Sequence, residues 1–221
     1  MFYIVFINFY KFFSNILMMD LKILELSASH AFGARELKKT DSYISVIDQY
    51  ELESTDLSNY NILMITYFAD QEYLYKNKQI IENFLNDGKV VVFCGHLFRQ
   101  WLPGCSLFMP KKINGYKDYL VQTVPGAPLF DGVEVDDMVC NKGVAGFFAR
   151  GYYYAPENAE VCLTFTDGKV ISYIDRHTTN GTIIVHGGQN ILSYKDAKDT
   201  KKKISEQALA LLKEEVCGGK K

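Results

Sequence analysis

From Leu21 onward, short apolar runs alternate with longer amphipathic or irregular stretches, which is how a largely parallel sheet covered by helices reads in a sequence. Residues 21–27, 43–47 and 61–67 predict three strands. The last of them, Asn-Ile-Leu-Met-Ile-Thr-Tyr, is too continuously apolar for a solvent-facing hairpin. Asp70 is placed to cap a helix running to Asn86, with Tyr73, Leu74, Ile80, Ile81, Phe84 and Leu85 approximating one apolar face and Gly88 ending it. Residues 89–94 follow as a strand. A right-handed crossover through that helix sets it parallel to the strand from Asn61 and near the middle of the sheet.

Between Phe98 and Pro128 the periodicity is lost. Pro103-Gly104, Asn114-Gly115 and Pro125-Gly126 punctuate an excursion with one strand at 119–123. Residues 160–165, 170–174 and 182–185 predict three further strands, with Asp167-Gly168 and Asn180-Gly181 as hairpin turns, so an antiparallel extension ends the sheet. Ile204, Ala208, Leu211 and Leu212 recur at helical spacing in a C-terminal amphipathic helix, and its leader Lys201-Lys202-Lys203 reads as a solvated face. The fold class is therefore α/β, with a mostly parallel central sheet between helical layers.

The 221 residues suit one domain, and the residues before Asp20 stand apart from it. Residues 1–19 are rich in Phe, Tyr and Ile, but Asn8, Lys11, Ser14 and Asn15 interrupt a stretch already short for a membrane span. Asp20, Lys22 and Glu25 spoil a secretory signal. The expectation is an upstream extension, with synthesis beginning naturally at Met18 or Met19 and a single domain over 20–221.

Composition narrows the partners. A formal net charge of −2 provides no basic field for nucleic acid, and a membrane is not the expected partner. Five cysteines without C-x-x-C spacing argue against a disulfide framework or structural zinc and for a cytoplasmic, reducing setting. Four scattered histidines form no close ligand pair, so no metal is expected. Neither a dinucleotide fingerprint nor a P-loop is present, so no cofactor is implied; a small-molecule ligand is the expected partner, with homo-oligomerisation open.

In open α/β sheets, ligands bind beyond the carboxyl ends of the strands. The loops there begin at Ser27-Ala28-Ser29-His30, Tyr67-Phe68-Ala69-Asp70, Cys94-Gly95-His96 and His186-Gly187-Gly188-Gln189-Asn190. Cys94 could be a nucleophile on a strand-to-helix elbow, activated by His186 or His96, or a small core residue on an apolar strand. His30, Gly95, Gly187, Gln189 and Asn190 are candidate ligand contacts. Arg150, between the aromatic clusters Phe147-Phe148 and Tyr152-Tyr153-Tyr154, could hold a carboxylate or phosphate, although sheet packing is the simpler role of those rings.

The strand ending Val92-Phe93-Cys94-Gly95-His96, the helix ending Asn86-Asp87-Gly88, the late Gly181-Thr182-Ile183-Ile184-Val185-His186-Gly187 and the segment Ala127-Pro128-Leu129-Phe130-Asp131-Gly132-Val133 together carry a resemblance. The chain resembles the class I glutamine amidotransferase-like superfamily over roughly 21–192, particularly its trehalose-utilisation ThuA-like branch. The resemblance implies a flavodoxin-like three-layer sandwich with its pocket near Cys94, Gly95 and His96. Glutaminases of that superfamily carry Gly-x-Cys-x-Gly and a later His-Pro-Glu, and both are missing here. Strand alternation allows Gly95 rather than Cys94 to occupy the elbow, turning Cys94 into the core. Ordinary glutamine hydrolysis is therefore not expected. Two readings remain: a hydrolase or transferase using Cys94, His96 and His186, or a catalytically silent ligand-binding or interaction module on the same fold.

Overall fold

The computed structural model describes residues 21–28, 41–141, 143–146 and 148–217. The extension 1–19, His30 and Phe147 lie outside the described residues. Eight strands share one sheet: β1 (Ile23–Ser27), β2 (Ile44–Asp48), β3 (Ile62–Thr66), β4 (Val90–Cys94), β5 (Val121–Thr123), β6 (Glu160–Phe165), β7 (Val170–Asp175) and β8 (Thr182–His186). Their order is β2-β1-β3-β4-β8-β7-β6-β5. The strands from β2 to β8 in this order are parallel, and β7, β6 and β5 continue as an antiparallel meander. A parallel core running 2-1-3-4 and then a fifth strand is the flavodoxin-like doubly wound arrangement, with its topological reversal between β1 and β3.

Burial explains the centre. Every residue of β4 and of β8 is buried, β3 is buried except at Thr66, and β1 except at Glu25 and Ser27, as two-sided coverage of parallel strands requires. One face puts Ile62, Met64, Val90, Val92, Cys94 and Ile184 against Ile204, Ala208, Leu211 and Leu212 of α4 (Lys202–Cys217). The other puts Leu63, Ile65, Val91, Phe93 and Val185 against Ile81, Phe84 and Leu85. The result is a three-layer sandwich.

The helix expected over 70–86 is two helices, α1 (Gln71–Lys76) and α2 (Lys78–Asn86). Asp70 caps α1 as predicted, accepting from the amides of Glu72 and Tyr73. Asn77, at φ −104° and ψ 15°, leaves helical geometry and breaks the ladder between them. A further short helix, α3 (Val135–Val139), follows the excursion.

Asp167-Gly168 turns between β6 and β7, with Gly168 at φ +83°. Asn180-Gly181 is not a tight hairpin turn: residues 176–181 form a longer connection, and Gly181 is there for lack of space. A Cβ on it would stand 2.1 Å from the Lys89 carbonyl oxygen. Nor is the basic leader of α4 merely solvated, because Lys201 donates to the Asp137 carbonyl at 2.7 Å and Lys203 to that of Gly132 at 2.8 Å, fastening the excursion to the helix.

Arg176 ties three elements together. Its guanidinium meets Glu160 of β6 and Glu215 of α4, each at 2.7 Å, and Glu215 also accepts from Thr182 of β8 at 2.6 Å. Arg176→Met should lower unfolding free energy by about 1–2 kcal/mol, the half-exposed geometry holding it below the cost of breaking a fully buried pair. Urea denaturation checks it, and in the Glu215→Gln background the same change should cost measurably less.

Candidate functional site

The carboxyl end of β4 is where the strongest chemistry was expected. Cys94 is fully buried, on the face packed against α4. Burial pushes its thiol up to about 12, so it is not poised as a thiolate. Strand alternation has taken the second of the two alternatives: the sulfur faces the core, and Gly95 makes the turn. Gly95 donates its N–H to the His186 carbonyl at 2.8 Å, and a Cβ there would lie 2.6 Å from the Tyr67 Cα, so only glycine lets the ends of β3 and β4 approach.

The loop after Gly95 is bonded internally. Leu97 N–H donates to the Tyr153 hydroxyl at 3.1 Å, and that hydroxyl donates to the Gly95 carbonyl at 2.6 Å. Buried Gln71, from the first turn of α1, donates through Nε2 to the His96 carbonyl at 2.7 Å. Its Oε1 accepts from Phe98 N–H, Arg99 N–H and Trp101 Nε1 at 2.9, 3.2 and 3.3 Å. An anion hole needs backbone donors aimed at a substrate oxygen, and those of Gly95, Leu97, Phe98 and Arg99 are already spent inside the protein.

The histidines do not converge on the sulfur. His96 is half-buried and stacks on Phe108, with centroids 3.9 Å apart and planes at 11°. Desolvation lowers its pKa, and a bond to the Gly187 backbone acts the other way. His186 ends β8 in register with Cys94 on β4 and Ser172 on β7. It is fully buried between Phe130 and Phe148, each centroid 5.4 Å from its own, and neither ring nitrogen has a hydrogen-bond partner. Burial alone drives its pKa down to about 3. Cys94, His96 and His186 therefore do not form the nucleophile-and-base arrangement, one of the two readings of the sequence: His186 shares a face with Cys94 but has no hydrogen bond at either ring nitrogen, and His96 packs on Phe108 on the opposite face.

The glycine pair after β8 is likewise a packed turn. Gly187 N–H donates to the Ile171 carbonyl at 2.8 Å, and a Cβ on Gly188 would lie 2.4 Å from the Phe148 carbonyl oxygen and 2.6 Å from His186 Nε2. Arg150 is exposed, and its Nε donates to the Gly146 carbonyl at 2.6 Å. Of the aromatic cluster, Phe148 and Tyr153 are buried packing residues, whereas Tyr154 is exposed.

Among the described residues, a cleft of about 680 Å³ lies where the strand order reverses. Ser27 at the end of β1 with Ala28 after it, Thr66, Tyr67 and Phe68 at the end of β3, and Gln189, Asn190 and Ser193 after β8 are among the residues that line it, with the Lys195–Asp41 ion pair, 3.0 Å, at one side. Gln189 and Asn190 are the predicted contacts that reach this cleft. Asn190 Oδ1 is also engaged as the cap of the turn Ile191–Tyr194. Tyr67 and Phe68 pack on each other with centroids 4.1 Å apart yet remain 42% and 53% exposed, which makes them an aromatic wall. Thr66, Ser193 and the Asp41–Lys195 pair had no sequence signal of their own: their places follow from which strands are neighbours.

Among the described residues, no group of three His, Cys, Asp or Glu side chains could hold a metal ion, and no helix is long and apolar enough to cross a membrane. No family model matches the chain, and no curated protein matches it. Among solved structures, the chain is similar to the cytoplasmic protein STM3548 from Salmonella typhimurium at 10% identity and a TM-score of 0.47, over 75% of this chain and 80% of that one. It is also similar to the cytoplasmic protein STM1381 from Salmonella typhimurium LT2, at 10% identity and a TM-score of 0.41, over 80% and 82% of the two chains. A beta-galactosidase from Rahnella sp. R3 aligns at 13% identity and a TM-score of 0.48, over 87% of this chain but 31% of its own length.

Proposed function

We propose that this chain is a small-molecule-binding module on a glutamine amidotransferase-like scaffold, without the thiol chemistry of that superfamily. The observation that carries the reading is the contrast at the sheet's carboxyl edge. The Cys94 thiol is buried without a hydrogen bond to a histidine and the neighbouring backbone donors are used internally, while a cleft lies at the β1/β3 reversal, where doubly wound sheets hold their ligands. Hydroxyl and amide groups on one side and the Tyr67–Phe68 wall on the other suit a polar ligand with a flat or apolar face. Free thiols, with Cys94, Cys105 and Cys162 buried, favour a cytoplasmic setting.

A thermal-shift and calorimetric screen of small polar metabolites, paired with assays of glutamine and activated-ester hydrolysis, tests this reading. Ligands should bind without turnover, Cys94→Ala should leave their affinity unchanged, and Gln189→Ala or Thr66→Val should weaken it about 5- to 30-fold, the worth of one or two hydrogen bonds. In the folded protein a thiol reagent should reach Cys217, which is exposed, and spare Cys94. Turnover that disappears in Cys94→Ala would overturn the proposal.

A further inference from the structure

His186 is the one fully buried side chain among the described residues whose two ring nitrogens both lack a partner. Leaving buried polar groups unbonded costs about 1–3 kcal/mol each, so such a residue marks a place where the native packing is under stress. A second stress lies against it. Phe130, whose ring packs on His186, holds φ +70°, the only non-glycine residue with positive φ among those described, and a bulky side chain is disfavoured there. The imidazole also sits at a junction: its own strand ends there, and residues 187–190 lead straight into the switch-point cleft through Gln189 and Asn190.

The groups that face the ring are Cys94 from β4 and Ser172 from β7, in register on either side, the rings of Phe130 and Phe148, and Tyr194 beyond Phe148. None supplies a negative charge: burial holds the Cys94 thiol and the Tyr194 phenol in their neutral forms, and the Ser172 hydroxyl donates to the Val185 carbonyl. A proton added to this imidazole creates a cation with two N–H donors and no acceptor in the packed arrangement. It can be solvated only if the ring leaves its box, and the turn at Gly187-Gly188, which carries no side chains, is where the chain can yield.

We propose that His186 is an acid-sensitive latch, whose protonation opens the segment 187–194 and with it the Gln189–Asn190 side of the cleft. The consequence for a ligand rests on the small-molecule reading above, but the opening itself does not. The sign follows from burial. The packed state lowers the histidine's pKa, so the latch is fully closed above the ordinary value near 6.5 and weakens as pH falls toward the packed-state value of about 3. Linkage between those two values makes the open state about 30-fold more populated at pH 5.0 than at pH 7.5.

Hydrogen exchange on the unliganded full chain tests this at those two pH values, after correction for the intrinsic rates. Amides in 187–194 should exchange about 30-fold faster relative to that correction at pH 5.0, with a lower opening free energy than those of β3 and β4 at both pH values, and His186→Phe or His186→Leu should abolish the response. No acceleration in the wild type, the same acceleration in either variant, or an opening free energy at 187–194 equal to that of β3 and β4 would each overturn the latch. If neither variant folds, a lower opening free energy at 187–194 in the wild type decides for it and one equal to that of β3 and β4 against it. Because no ligand is present, failure here is distinct from failure of the binding screen.

Discussion

Replacing Gln71 with leucine should lower the unfolding free energy by about 3–5 kcal/mol, among the largest effects expected of any single side chain in this protein. The leucine matches the volume, but it strands the amides of Phe98 and Arg99, the Trp101 indole N–H and the His96 carbonyl at once. Trp101 is 1% exposed, so its indole cannot turn to water, whereas the exposed Phe98 end of the loop can recover part of its loss. Gln71→Glu separates the two halves of the clamp. The carboxylate still accepts from the three donors but faces the His96 carbonyl without a proton, so an intermediate loss is expected. Urea denaturation gives the magnitudes, and limited proteolysis should show new cleavage within 96–101 in the leucine variant. A loss below about 1 kcal/mol for Gln71→Leu would mean that the loop is held by packing rather than by this amide.

Gly181→Ala should destabilise by about 3 kcal/mol or more, because the added methyl meets backbone on two sides: the Lys89 carbonyl oxygen at 2.1 Å and that of Leu85 at 2.7 Å. A flexible neighbour could swing aside. Here relief requires β8 to move off β4, the pairing at the middle of the sheet. Gly115→Ala is the control, with an extended backbone and nothing within 4 Å of the new Cβ, and should change stability by less than about 0.5 kcal/mol. Equal effects of the two substitutions in urea titrations would show that the contact at Gly181 relaxes freely.

The layered α/β fold was legible in the chain because burial on both faces leaves a local mark. Runs such as Ile-Leu-Met-Ile at 62–65 and Val-Val-Val-Phe at 90–93 have no polar position to spare, and Asp70 announces a helix start wherever it sits. The break at Asn77 and the role of Gly181 were not legible, since one is a backbone excursion without a side-chain bond and the other a contact with the carbonyl of Lys89, distant in sequence.

The same division runs through the candidate site. The sequence by itself determined which loops leave the carboxyl edge, and so brought Gln189 and Asn190 to notice, because strand ends can be found from periodicity alone. Reactivity at that edge was decided only in three dimensions. Whether Cys94 faces a cleft or a core depends on strand parity against α4, and whether Leu97 and Phe98 can stabilise an anion depends on Tyr153 and Gln71 arriving from elsewhere in the chain. Burial, pKa and the supply of free donors are properties of the packed assembly; no local stretch of residues contains them.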